Sequence, residues 1–252
     1  MLKDLPFDHT GKMRLKVISC RVFSRPIMAQ AAASVHKVDI NFIGKFLHEK
    51  PEHLGRILRE RINKTSRRFY DAVILGYGMC GNSTAGLTAG SVPLVLPRVH
   101  DCVSMFLGSH ARYMEEFEKE PGTFWYIPEY LETRDSGCCS QWTPGHPLDS
   151  AAEQGCTESD EKFSEDNAEY IREKMSAWKK RYNRAVLLET GTETRAGLEE
   201  EVAQESVRNN WEFVRMKGSP RLFEKLINGP WDEEFLVLQP GEKVPSVMNS
   251  GS

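Results

Sequence analysis

The chain has 252 residues, 40% of them hydrophobic and 27% charged, the proportions of a water-soluble globular protein with enough length for one large α/β domain or two small ones. Its 33 Lys and Arg against 36 Asp and Glu leave a formal net charge of −3, which removes any global field for gathering nucleic acid or an acidic membrane. No apolar run approaches the ~20 residues of a membrane span and the N-terminus lacks an apolar region of signal-peptide length, so a cytoplasmic protein with no nucleic-acid or membrane partner is expected.

In chain order, "LKVISC" (15–20) reads as a β-strand, and "RPIMAQAAASVH" as a helix whose first turn is set by Pro26. "KVDINFI" (37–43) alternates as a second strand. "PEHLGRILRERINKTSRRF" follows with Leu54, Ile57, Leu58 and Ile62 at helical spacing. "YDAVILGYG" is an apolar strand of the kind buried on both faces in a parallel sheet. After a glycine-rich turn "SVPLVLPRVHDC" supplies a fourth strand, punctuated by Pro93 and Pro97. Residues 103–119 read as helix, and "GTFWYIP" as a strand.

Residues 131–166 change character, being rich in Gly, Pro, Ser and acids, and read as an irregular polar excursion. Alternation then resumes: "NAEYIREKMSAWKKRY" helix, "RAVLLET" strand, "TRAGLEEEVAQESVRN" helix, "WEFVRM" strand, "SPRLFEKLIN" helix, "EEFLVLQPG" strand. This alternation predicts an α/β fold, a mostly parallel sheet with helices on both faces, in one domain or in two packed βαβ halves at 14–130 and 160–242.

Six cysteines in a cytoplasmic chain read as thiols or metal ligands before a disulfide framework. Cys20 ends the first strand, Cys80 lies just past the third and Cys102 just past the fourth. In an open parallel sheet the carboxyl ends share one edge, where ligands bind at the reversal of strand order. Three thiolates meeting there suit zinc or an iron–sulfur cluster, and they leave a fourth position for water, substrate or another side chain. His100 filling that position would close a Cys₃His zinc site; an open position would suit a 4Fe-4S cluster. The bland alternative is three isolated core thiols, which behave as small hydrophobes.

In "GYGMCGN" the glycines, among them Gly78 and Gly81, permit a tight turn and a close backbone approach to a bound group, with Asn82 beside them. As a phosphate cradle the run matches neither dinucleotide nor P-loop spacing. "PRVHDC" adds Arg98 for an anionic substrate and His100 as proton donor or ligand, while Asp101 reads chiefly as the cap of the next helix. Cys138, Cys139 and Cys156 fall in the polar excursion and are left out of the site. Trp178, Trp211 and Trp231 are expected to pack the core of the second half.

The runs "ISC", "YDAVILGYGMCGNSTAGL", "PLVLPRVHDCVSMFLGSHARY", "PGTFWY", "NAEYI", "RAVLLETG" and "GPWDEEFLVLQPG" together resemble a prokaryotic family grouped as the domain of unknown function 1638. The resemblance spans roughly Leu15 to Gly241 outside the excursion, and it carries the pattern onto Cys20, Cys80, Gly81, Asn82, His100, Asp101 and Cys102. It implies one site built from all three cysteines, in cytoplasmic proteins of anaerobes and methylotrophs, often encoded near corrinoid-dependent methyltransferases and their reductive activators. Three functions remain open: a metal or iron–sulfur protein of anaerobic one-carbon metabolism acting on a small molecule; a non-catalytic accessory that supplies metal or electrons to a corrinoid protein or methyltransferase; and a nucleotide- or methyl-donor-binding α/β enzyme.

Overall fold

The computed structural model describes residues 11–44, 51–79, 82–132 and 177–245. The elements in order are β1 (Arg14–Cys20), α1 (Ser24–Ala33), β2 (Lys37–Ile43), α2 (Pro51–Asn63), β3 (Ala72–Gly76), β4 (Leu94–Pro97), α3 (Cys102–Leu107) and α4 (His110–Lys119). They continue with β5 (Thr123–Tyr126), α5 (Pro128–Glu132), β6 (Arg184–Glu189), α6 (Leu198–Asn209), β7 (Glu212–Lys217), α7 (Arg221–Asn228) and β8 (Phe235–Leu238).

They fall into two compact units, and the division differs from the halves read in the sequence. One unit holds residues 1–113 together with 219–252; the other holds 114–218. Both are mixed α/β. Sequence order says when a strand is made, not which sheet it joins: β5 pairs with β6, and β8 returns to pair with β4.

The first unit carries a five-stranded sheet in the order β2-β1-β3-β4-β8. β1, β2, β3 and β4 run parallel, whereas β8 is antiparallel to β4. The sheet is thus mostly parallel, as expected, with one antiparallel strand at its edge. Every residue of β3 and β4 is buried, as the unbroken apolar runs "AVILG" and "LVLP" demand of central strands. β2, at the sheet edge, alternates exposed and half-buried residues over its first four positions and is buried only at Ile43.

The helix read over 103–119 is in fact two helices. Gly108 takes a left-handed backbone, φ 74°, and ends α3, so α4 starts afresh at His110. Residues 82–86 after β3 form turns, and Thr88 bridges to Lys243. The segment 133–176, with most of the helix expected from "NAEYIREKMSAWKKRY", lies outside the described residues; 177–181 form a short 3₁₀ turn.

Side-chain packing in this unit centres on Phe23, Phe106 and Phe223, each at most 2% exposed. Their rings meet edge to face with centroids 5.5, 5.1 and 5.2 Å apart. Phe23 lies three residues beyond Cys20, Phe106 is in α3 four residues beyond Cys102, and Phe223 is in α7. Trp231 is also buried here, its Nε1 donating to the Leu226 carbonyl at 3.1 Å.

β1 and β3 approach closely at Ser19 and Gly76, which are register partners. A Cβ on Gly76 would lie 2.2 Å from Ser19 Oγ and 2.6 Å from its Cβ. Ser19 is fully buried and its hydroxyl donates to the Gly76 carbonyl at 3.2 Å. Gly76→Ala is therefore expected to destabilise by about 1–3 kcal/mol through overpacking, read as a lower urea midpoint at unchanged slope. Pairing it with Ser19→Gly should recover most of the loss.

The second unit holds the parallel sheet β5-β6-β7 with α6 packed on it. Its core is Phe124, Tyr126, Ala185, Leu187, Leu198, Val202 and Trp211, so Trp211 packs as expected while the Trp178 side chain lies outside the described set. Lys179 and Glu205 form a buried ion pair at 3.5 Å, and burial together with Glu205 pushes the Tyr126 hydroxyl pKa far upward.

Candidate functional site at the carboxyl edge of the five-stranded sheet

Strand order reverses between β1 and β3, since β1 leads to β2 on one side while β3 and β4 lie on the other. In open α/β sheets the crevice beyond the carboxyl ends at such a reversal is the usual ligand site. Ser19 pairs with Gly76 and Val73 with Leu94. Counting on along the strands sets Cys20, Tyr77 and Arg98 at about one level. Adjacent strands stand ~4.8 Å apart, so the ends of β1 and β4 are separated by roughly 10 Å with β3 between them.

Cys20 is 3% exposed, at the last position of β1. Cys102 is half-buried and opens α3. Asp101 is the residue before that helix, and its carboxylate accepts from the Ser104 backbone N–H at 3.2 Å, so its capping role is as expected. Cys80 and Gly81 lie outside the described residues.

The loops carrying these residues are joined. The Met79 backbone N–H donates to the Val99 carbonyl at 3.0 Å, and Thr84 Oγ1 donates to the Gly78 carbonyl at 3.3 Å. A Cβ on Gly78 would lie 2.9 Å from the Val99 oxygen and 3.2 Å from the Asp101 nitrogen. Contact between the two loops is thus reason enough for glycine at this position. The segment leading into Cys80 is stitched to the segment leading into Cys102.

A second set of contacts fixes the far end of that loop. The Arg98 backbone N–H donates to the Glu234 carbonyl at 2.7 Å, and the Glu234 carboxylate receives both terminal nitrogens of Arg221. Arg221 Nε donates to the Gly108 carbonyl, and Ser219 N–H to that of Phe106. The fork geometry of a guanidinium on a carboxylate makes this a directional clamp, and Arg221 holds the Glu234 pKa below the usual carboxylate range.

Of the residues offered for substrate, Arg98 is half-buried with Nε donating to the Phe235 carbonyl at 3.3 Å. Asn82 is exposed and takes a left-handed backbone, φ 70°, a conformation its side chain tolerates. The His100 side chain is 66% exposed, with Nδ1 3.6 Å from an Asp101 oxygen. That is charge pairing without the geometry of a hydrogen bond. The neighbouring carboxylate raises the His100 pKa.

His110, the first residue of α4, is absent from the sequence-derived set. Burial and the charge of His100 lower its pKa, against the opposing effect of Asp101. The "SHARY" run carries no spacing signal for it. Among the described residues no three His, Cys, Asp or Glu side chains are grouped closely enough to hold one metal ion. No helix among them is long and apolar enough to cross a membrane.

An open, mostly parallel α/β sheet with cysteines at its carboxyl edge defines the class. Within it, the chain belongs to the family described as a protein of unknown function (DUF1638), whose model matches residues 42–227. No curated protein and no solved structure matches the chain.

Proposed function

We propose that the chain binds a metal centre through Cys20, Cys80 and Cys102, best as an open 4Fe-4S cluster and alternatively as zinc, and serves anaerobic one-carbon metabolism beside corrinoid-dependent methyltransferases. The observation that carries this reading is the strand order: β1, β3 and β4 are consecutive neighbours, so the three cysteines follow adjacent carboxyl ends on either side of the reversal. The Met79 to Val99 hydrogen bond supports it by tethering the chain just before Cys80 to the loop of Cys102. The donor set fits the group, because three thiolates with no fourth cysteine nearby in sequence leave one coordination position for another ligand. A four-iron cluster also spreads its thiolates more widely than a single ion, in keeping with sulfurs from strands one and two places apart.

When bound, such a cluster passes single electrons or acts as a Lewis acid at its open iron. The chain's own part is to hold three thiolates and to line the opening with His100, Asn82 and Arg98, which would position a small substrate. A second reading is an accessory that supplies metal or electrons to a corrinoid protein or methyltransferase without a substrate of its own. A third reading, a nucleotide- or methyl-donor-binding α/β enzyme, would place its ligand on the backbone from Gly76 to Asn82, a run that fits neither dinucleotide nor P-loop spacing.

Protein purified without oxygen is expected to be brown, with iron and acid-labile sulfide in equal amounts and broad visible absorption that bleaches on reduction. Zinc alone at one per chain would move the assignment to the closed site. Absence of both metals after anaerobic preparation would overturn the metal reading.

A further inference from the structure

We propose that the amino edge of the five-stranded sheet, opposite the edge that carries the cysteines, docks an acidic segment of a partner protein. The backbone gathers cations from several segments there. Lys37 opens β2 and is the register partner of Arg14 in β1. Its backbone N–H donates to the Met13 carbonyl at 2.8 Å, one residue from Lys12. Arg14 Nη1 donates to the Arg68 carbonyl at 3.0 Å, and the Arg67 backbone N–H to Ser91 Oγ at 3.2 Å. Ser91 Oγ donates in turn to the Thr65 carbonyl at 2.8 Å, at the end of α2 where Arg61 and Lys64 lie. Lys12, Lys37, Arg61, Lys64, Arg67 and Arg68 are all exposed. The acids at this end of the same segments are already matched: Asp71 by Arg14 at 2.7 Å, Asp39 by Lys16 at 2.9 Å and Glu60 by Lys64. The edge therefore carries an excess of positive charge.

An exposed aromatic ring sits among these charges. Phe69 is 59% exposed on a turn closed by its backbone N–H to the Ser66 carbonyl at 3.0 Å, and the Arg68 guanidinium lies 5.5 Å from its ring centroid. Arginine and aromatic side chains anchor protein interfaces, while clustered charge steers the encounter. The rest of the chain selects the occupant. Its formal net charge is −3, so an excess of cations at one edge leaves a larger excess of acids elsewhere. A long polyanion running past the edge meets those acids, whereas a short acidic segment meets only the patch. Single-stranded nucleic acid also asks for a succession of stacking rings. The neighbouring Tyr70 is instead engaged, its hydroxyl donating to Asp39 and Lys16 Nζ standing 5.6 Å from its ring. Docking here needs no metal at the opposite edge.

Fluorescence anisotropy of a labelled oligoglutamate peptide with one central leucine, titrated with the full-length protein, tests the docking edge. Binding is expected at low salt and should fall steeply as salt rises. Arg67→Glu and Lys37→Glu should each weaken it about 5–10-fold. Arg21→Glu makes the same change of net charge just past the other end of β1, roughly 20 Å away, and should match the wild type. Phe69→Ser should weaken the leucine peptide about 5–10-fold and leave unchanged the affinity for an oligoglutamate with serine in place of leucine. All four side chains are exposed, so unchanged urea midpoints are expected to exclude a folding defect. No binding by the wild type, wild-type affinity in both patch variants, or an equal loss in Arg21→Glu would overturn the proposal. Tighter binding to oligothymidylate or to phosphatidylserine vesicles than to either peptide would also overturn it, by assigning the edge to nucleic acid or to a membrane.

Discussion

Phe106→Ala is expected to destabilise the protein by about 3–5 kcal/mol, the range for deleting a large aromatic side chain from a packed core. Phe106 is 2% exposed and touches both Phe23 and Phe223, so the substitution opens a void that two other rings line. Edge-to-face aromatic pairs add about 0.5–1.5 kcal/mol each beyond area burial, and two of the three pairs are lost. Phe106→Leu, which refills much of the volume, should cost clearly less. Urea unfolding reads both values. A loss below about 1 kcal/mol for alanine would show that the cluster does not hold α3. The same substitution bears on function, because Phe23 and Phe106 are the packed anchors just beyond Cys20 and Cys102. Loosening them should lower metal retention even under conditions where the chain remains folded.

Cys102→Ala should strip most of the iron while leaving the fold nearly intact. Cys102 is only half-buried at the first position of α3, so removing its sulfur costs little packing, and a stability change within about 0.5 kcal/mol is expected. Cys20→Ala should lose as much iron with a larger stability cost, because Cys20 is 3% exposed. Simultaneous alanine replacement of Cys138, Cys139 and Cys156 should change neither quantity. Iron retained at wild-type level in Cys102→Ala, or lost in the triple variant, would relocate the ligands.

Much of this arrangement was legible in the sequence because its signals are local. Continuous apolar runs at 72–76 and 94–97 announce central parallel strands, and an acid three residues before Ser104 announces the cap of α3. The positions of Cys20 at the end of β1 and of Cys102 at the start of α3 needed nothing more. What escaped is non-local. Antiparallel β8 carries the same kind of apolar run as a parallel strand, and no feature of "FLVL" records its direction. The division into units depends on β5 choosing β6 as partner, a choice made across a long stretch of chain. Nor does the sequence record that a Cβ on Gly78 would crowd the Val99 carbonyl.

Iron-edge anomalous diffraction from a crystal grown without oxygen would test the thiolate centre most directly. A single anomalous peak is expected beyond the carboxyl ends of β1 and β3, with the sulfurs of Cys20 and Cys102 at about 2.3 Å, the usual metal–thiolate distance. A peak placed elsewhere in an iron-replete protein, with those two sulfurs contacting only other side chains, would contradict it.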